Sequence, residues 1–275
     1  MTHSASDGSF TNDVAAFYES MLVPLIFEPY ADDLAERVEA LTPGSVLEIA
    51  CGTGVVTRAL VARLPESCSI TATDLNQAML GHAEAIGTSR PITWGQADVM
   101  DLPYPDNSFD VVVCQFGTMF FPERADAYSE VRRVLKPGGT FLFNIWNGIA
   151  DNEFAQVVTQ ALAARFPDDP PQFMVRTPHG HSSPEEIEAD VSASGYASCT
   201  LTQRDDVSPA GDARLAAMAF CQGTPLRAEI EARDPGGLQS ATDAVEAALQ
   251  ARHGQGPIEG KISAVIVSAE TALPA

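Results

Sequence analysis

Two carboxylates and a glycine turn are the residues best placed to do chemistry. Glu48 sits four residues before Gly52 in the run Val46-Leu47-Glu48-Ile49-Ala50-Cys51-Gly52-Thr53-Gly54, and Asp74 closes a β-branched run 20 residues after Gly54. Glycines between a strand and a helix let backbone approach a ligand closely and take positive φ. A nicotinamide loop would want G-x-G-x-x-G, with pyrophosphate on the helix N-terminus. Here Thr57 occupies the third glycine position, and a carboxylate at Glu48 is a poor neighbour for pyrophosphate. The same carboxylate suits a cationic ligand, or the ammonium of an amino acid, directly or through water. An acid at the end of the next strand, such as Asp74, can accept two ribose hydroxyls. Together they point to a nucleoside cofactor bearing positive charge.

S-adenosylmethionine meets that description, with a sulfonium, an α-ammonium, a ribose and no phosphate. The Glu48–Gly54 segment resembles motif I of class I S-adenosylmethionine-dependent methyltransferases, in the branch of the ubiquinone/menaquinone C-methylases and many small-molecule enzymes. Ala50 stands where that pattern has its first glycine, a change expected to be tolerated if φ stays negative. Thr73-Asp74-Leu75-Asn76-Gln77-Ala78-Met79-Leu80 is similar to the family's D-x-S-x-x-M-L, Leu102-Pro103-Tyr104 and Asn107-Ser108-Phe109-Asp110 to its L-P-F and S-F-D, and Arg132–Gly139 to its R-V-L-K-P-G-G. The resemblance implies that Glu48, Ala50, Cys51, Gly52, Thr53 and Gly54 cradle the cofactor. Asp74 would hold ribose, with Leu75 and Met79 against adenine and Ala97, Asp98 and Val99 at the adenine edge. Tyr18, in an N-terminal helix, is expected to fold over the cofactor, and Cys114 and Phe116 to border it. No catalytic residue or metal site stands out; His179 and His181 are read as exposed loop histidines, with a general-base role the weaker reading.

The elements that must position these groups follow from periodicity. Helices are expected over Val14–Met21, broken by Pro24 and Pro29, and over Ala31–Leu41. Strands at 45–50, 69–73, 91–94, 109–116 and 140–146 alternate with helices at 55–64, 76–86 and 124–135. Near-continuous apolar strands between helices predict an α/β, Rossmann-like, doubly wound, seven-stranded and mostly parallel sheet, covered on both faces. Further helices are expected at 152–166, 185–194, 213–221 and 237–252, and strands at 198–205 and 262–268, the last two helices forming a small cap. The chain is read as one domain: residues 1–42 an N-terminal helical segment, 43–150 the cofactor core, and 151–275 the rest of the sheet with the cap. The Gly/Pro-rich stretch 166–184 is read as a non-helical lid loop. Ligands of such sheets lie beyond the carboxyl ends of strands, so Phe120, Trp146, Asn147 and Phe173 are the expected acceptor pocket.

The 275 residues carry 37 acidic against 16 basic side chains, a net charge of −21. That balance opposes nucleic acid, which needs a basic stripe, and an anionic membrane surface. No apolar run approaches the about 20 residues of a spanning helix, and no signal peptide is read at the N-terminus. The 5 cysteines, scattered and odd in number, suit a reducing cytoplasm. There is no N/D-P-P-Y/F run for adenine or glutamine methylation and no paired cysteines for arsenite. The expectation is therefore methyl transfer to a small organic acceptor, oligomeric state undetermined. A non-catalytic cofactor-binding scaffold on the same fold, or an NAD-dependent oxidoreductase, are the alternatives.

Overall fold

A computed structural model describes residues 12–273. Seven strands form one sheet in the order β3-β2-β1-β4-β5-β7-β6. They are β1 (Ser45–Glu48), β2 (Ser69–Asp74), β3 (Thr93–Gln96), β4 (Phe109–Gln115), β5 (Leu135–Trp146), β6 (Ser198–Ala210) and β7 (Ile258–Glu270). The first five pair in parallel. β7 runs against β5: Thr271 N donates to Gly139 O at one end, and Asn147 N to Ser263 O at the other. The mostly parallel, doubly wound sheet expected from the apolar runs is therefore present.

The chain divides into two compact units. The first comprises residues 12–27, Trp146–His181 and Arg204–Ala264. It holds α1 (Asn12–Phe17), a π-helical segment (Tyr18–Phe27), α6 (Glu153–Arg165), α7 (Phe173–Arg176), α9 (Ala213–Gln222), α10 (Leu226–Arg233) and α11 (Leu238–His253). α11 packs on α9 and α6, and α9 on the π-helical segment. The second unit comprises Glu28–Ile145, Ser182–Gln203 and residues 265–273. It holds α2 (Glu28–Ala40), α3 (Val55–Arg63), α4 (Gln77–Ile86), α5 (Arg124–Val134) and α8 (Pro184–Ala193). One face of its sheet buries Leu47, Val112, Phe141 and Phe143 against Tyr128 and Val131 of α5. Tyr128, Phe141 and Phe143 form a tight aromatic group, the two phenylalanine rings stacked 4.5 Å apart.

Several boundaries differ from expectation. Pro24 does not end the N-terminal helix; it lies inside the π-helical segment, where the widened turn accommodates the missing N–H. Pro29 falls in the first turn of α2, where proline costs no intrahelical bond. β3 begins at Thr93, beyond Pro91, because proline cannot donate to the ladder. Pro137-Gly138-Gly139 is a kink within β5 at a register shift opposite Phe109–Val111, with Gly138 at φ 77°. The stretch 166–184 carries one helical turn, α7. β6 and β7 extend beyond the expected 198–205 and 262–268. Three helices, not two, connect them, α10 being the addition.

Candidate active site

The register lines up the carboxyl ends of β1, β2 and β4. Glu48 pairs with Ala72 on one side and Val113 on the other, and Asp74 pairs with Gln96. The loops 49–54, 75–76 and 116–117 therefore leave the second unit's sheet from one edge.

The glycine loop is held from three directions. Cys51 N donates to Thr73 O at 2.9 Å, Gly52 N to Asp74 Oδ2 at 2.8 Å, and Arg58 to Thr53 O at 2.7 Å. Gly52 and Gly54 have φ of 57° and 84°, the left-handed region that favours glycine. A Cβ on Gly52 would lie 3.8 Å from Met79 Cε, so the buried Met79 supports the underside of the turn. The other oxygen of Asp74 accepts from Asn76 N at 2.7 Å, and Asn76 caps α4 through Ala78 N and Met79 N. Asp74 is half-buried, and burial raises its pKa. Each of its oxygens still has a lone pair beyond its one backbone bond.

Ala50 corrects the expectation of a negative φ: it lies at φ 51°. Its methyl takes up the space beside Gly117, where an added Cβ would lie 2.5 Å from Ala50 Cβ and 2.7 Å from Cys114 Sγ. Phe116 is also left-handed, at φ 50°, and its N–H donates to Asn144 Oδ1 at 2.8 Å. Sequence reading missed Gly117 and Asn144. The available signals were a glycine directly after a strand, and one amide inside the apolar run Phe141–Trp146.

Glu48 is buried and its Oε2 accepts from Thr57 Oγ1 at 2.6 Å. Burial pushes its pKa up to about 8, only partly offset by that hydrogen bond. In these surroundings the group is protonated at neutral pH, not the anion expected from sequence; a cation beside it would reverse that. Thr57, at the third glycine position of a nicotinamide loop, is thus the partner of Glu48.

The remaining expected residues divide. Leu75 is 62% exposed, an apolar side chain free to cover a ring. Asp98 is exposed just past β3 and accepts from Met100 N at 2.9 Å, while Ala97 and Val99 pack on the core. The Thr53 hydroxyl is buried without a hydrogen-bond partner among the described residues. Cys51 is buried and its thiol pKa raised by burial. Cys114 is fully buried with its thiol pushed up to about 12, chiefly by burial. Its side chain is packed in the core beside Gly117. Phe116 is buried edge-on against Tyr30 at 5.3 Å, and Phe120 is half-buried after β4.

Tyr18, Trp146, Asn147 and Phe173 belong to the first unit. There Tyr18 stacks on Phe27 at 5.0 Å, and Phe27 meets Trp146 at 6.1 Å. Asn147 Nδ2 donates to Ser263 Oγ at 2.7 Å, so its amide nitrogen is committed to the strand. Phe173 is only 3% exposed, and α7 is bound to α10. Glu229 accepts from Gln172 N, Phe173 N and the Arg176 guanidinium, at 2.6, 3.1 and 2.9 Å. Phe173 and Trp146, the latter 4% exposed, are thus both packed inside their own unit. His179 and His181 are not exposed either: His179 is half-buried and His181 buried. Among the described residues no three His, Cys, Asp or Glu side chains converge as a metal cluster.

Residues 47–143 match a family described as a methyltransferase domain. That span contains the glycine loop, Asp74 and β5 up to Phe143. The chain carries a methyltransferase domain over residues 47–143. Curated relatives agree over this part. The chain is 38% identical over 120 residues to sterol 24-C-methyltransferase ERG6B of Gibberella zeae, covering 41% of this chain and 31% of the relative. It is 37% identical over 111 residues to ubiquinone/menaquinone biosynthesis C-methyltransferase UbiE of Ectopseudomonas mendocina, covering 38% and 43%. The matches thus span under half the length of either relative. In fold, the chain resembles phosphoethanolamine N-methyltransferase 2 of Haemonchus contortus, with a TM-score of 0.60 at 15% identity, covering 99% of this chain and 62% of that one. It also resembles the YcgJ protein of Bacillus subtilis, with a TM-score of 0.55 at 19% identity, covering 88% and 99%.

The geometry fits S-adenosylmethionine, the cofactor of this domain. Two left-handed glycines leave the backbone bare at the strand edge, Asp74 keeps acceptor capacity, and Leu75 stands exposed beside it. No described helix is long and apolar enough to cross a membrane.

Proposed function

We propose that the chain transfers a methyl group from S-adenosylmethionine to a small, partly apolar organic acceptor that is neutral or cationic. The observation that carries this is the Glu48–Gly54 loop anchored on Asp74, within the matched domain. When bound, S-adenosylmethionine supplies a sulfonium-activated methyl group for in-line displacement. Gly52 and Gly54 give the backbone closeness that its methionyl end needs, and Asp74 accepts from its ribose hydroxyls. Leu75 and Met79 flank adenine, with Asp98 as acceptor for its amino group. Glu48, once deprotonated beside a cation, balances that charge. Much of the acceleration then comes from holding two reactants in line.

For the acceptor, Phe120, half-buried just after β4 in the same unit as the cofactor loop, supplies an apolar contact. The curated relatives are named for a sterol and for ubiquinone/menaquinone biosynthesis, in keeping with an apolar contact. The charge of −21 disfavours polyanions and nucleic acid. The 5 unpaired cysteines support a cytoplasmic setting, and no divalent metal is required. Titration calorimetry with S-adenosylmethionine, followed by radiolabelled methyl transfer into a metabolite extract, tests the proposal. Binding and labelled product are expected. Binding without transfer to any metabolite would leave a scaffold, and no binding would end the proposal.

A further inference from the structure

Glu48 and Thr57 form a closed pair at the root of the glycine loop, within the second unit. The carboxyl ends β1 at 1% exposure, and the Thr57 hydroxyl that donates to it at 2.6 Å belongs to a fully buried side chain. A threonine inside a helix can otherwise turn its hydroxyl onto the carbonyl four residues back. That carbonyl, Thr53 O, accepts from Arg58 Nη1 at 2.7 Å. A Cβ on Gly54 would lie 3.5 Å from Thr57 Oγ1, so the bare glycine leaves the hydroxyl its place. Burial favours the neutral acid at Glu48, and Asp74 of β2 adds to that; the Thr57 hydroxyl, the Arg58 guanidinium and the Thr57 N–H, all of α3, pull the other way. Two thiols also feel this carboxyl, Cys51 of the loop and Cys114 of β4, both raised chiefly by burial. α2 packs on α3 and β4, and its buried acid, Asp33, is ion-paired with Arg37 at 2.7 Å.

We propose that Thr57 is a positioning residue that holds Glu48 as a proton-linked counter-charge, the carboxyl giving up one proton when a ligand bearing an α-ammonium settles on the glycine loop. This rests on the cofactor reading proposed above. The acid's O–H bond breaks, its electron pair stays on the carboxylate, and the proton leaves to water. The buried carboxyl needs no contact with the ligand. A unit positive charge about 6 Å away, at an effective dielectric of about 20, favours the anion about a hundredfold. Glu48 titrates at about 8 without that charge, so the hundredfold makes the carboxylate its main form at neutral pH. A hydroxyl donates more strongly to a carboxylate than to a neutral acid, so Thr57 eases the change. Affinity for the ammonium-bearing ligand then rises with pH through the neutral range, and a nucleoside without that ammonium gains nothing.

The test titrates the full chain calorimetrically with S-adenosylhomocysteine, which carries the ammonium, and with 5′-methylthioadenosine, which shares the nucleoside and lacks it. Between about pH 5.5 and about pH 8.5 affinity for the first should rise about fiftyfold, and for the second by less than about threefold. Buffers of different ionisation enthalpy should count about 0.8 proton released per S-adenosylhomocysteine bound near pH 7. Thr57→Val removes a hydrogen bond to the anion, worth about tenfold in the acid's ionisation, and moves the whole profile to higher pH. Its affinity should lie within about twofold of wild type near pH 5.5 and be about fivefold weaker near pH 7. Thr57→Ser should restore the wild-type profile. A flat profile, an equal rise with 5′-methylthioadenosine, a Thr57→Val loss by one factor at every pH, or a serine variant that behaves like valine would overturn the proposal. In each of those cases the ligand has bound, and the cofactor reading stands. Binding of neither compound at any pH would end both.

Discussion

Gly117→Ala and Ala50→Gly form a pair whose outcomes are set by one contact. An alanine Cβ at 117 would sit 2.5 Å from Ala50 Cβ and 2.7 Å from Cys114 Sγ. Carbon atoms attract best at about 3.5–4.0 Å, so the overlap with Ala50 is about 1 Å. Neither neighbour can swing away: Ala50 is fixed by a chain whose Ile49 N donates to Val113 O and Cys51 N to Thr73 O, and Cys114 is fully buried. Overpacking costs about 1–3 kcal/mol, and rigid walls put Gly117→Ala at the upper end. For a chain of this size that is about 2 °C in Tm per kcal/mol. Ala50→Gly relieves about 1 kcal/mol of left-handed strain but loses a packed methyl of similar worth, so alone it changes stability little. In the Gly117→Ala background it also removes the closest clash, leaving only the sulfur. The double mutant should therefore be more stable than the sum of the singles by about 1–2 kcal/mol. Urea denaturation of all four proteins measures this coupling. Additivity within about 0.5 kcal/mol would refute the claim that Ala50 and Gly117 share one space.

Glu48 makes stability depend on pH. Its folded pKa is raised from 4.5 to about 8, so its contribution is full below 4.5 and lost as pH rises through 8. Chemical denaturation of the protein without cofactor should show the wild type losing stability relative to Glu48→Gln across that window; parallel profiles would place an anion at Glu48. Asp74→Ala should weaken S-adenosylmethionine binding by about 1.5–3 kcal/mol, with Asp74→Asn milder because one oxygen can still accept from Gly52 N or Asn76 N; calorimetry giving unchanged affinity removes Asp74 from the site. Glu229→Ala leaves the donors of Gln172, Phe173 and Arg176 without their shared acceptor and should cost about 1–3 kcal/mol. An unchanged denaturation midpoint would mean that α7 does not depend on that carboxylate.

The central strands and the glycine loop were legible because their signals are local. Val111-Val112-Val113 is apolar whichever face it presents, and Gly52 and Gly54 mark a turn without reference to anything distant. What escaped was tertiary. The positive φ of Ala50 depends on Gly117, 67 residues away in sequence. The protonation of Glu48 depends on burial that composition does not reveal. α10 was missed because its short segment Leu226–Arg233 has only Leu226 and Ile230 buried among charged residues. The histidines looked like exposed loop residues because the Gly/Pro-rich stretch masks α7, and because the partner of His179 is a backbone carbonyl, which has no sequence signature.

The three donors that converge on Glu229 make α7 a passenger of α10. A flap hinged at its own ends would move by changing φ and ψ near residues 166 and 184. Here Phe173 goes where the helix Leu226–Arg233 goes, and His179 follows three residues after Arg176, its N–H held by Met174 O. A substitution that tilts α10 therefore reaches the imidazole without touching it.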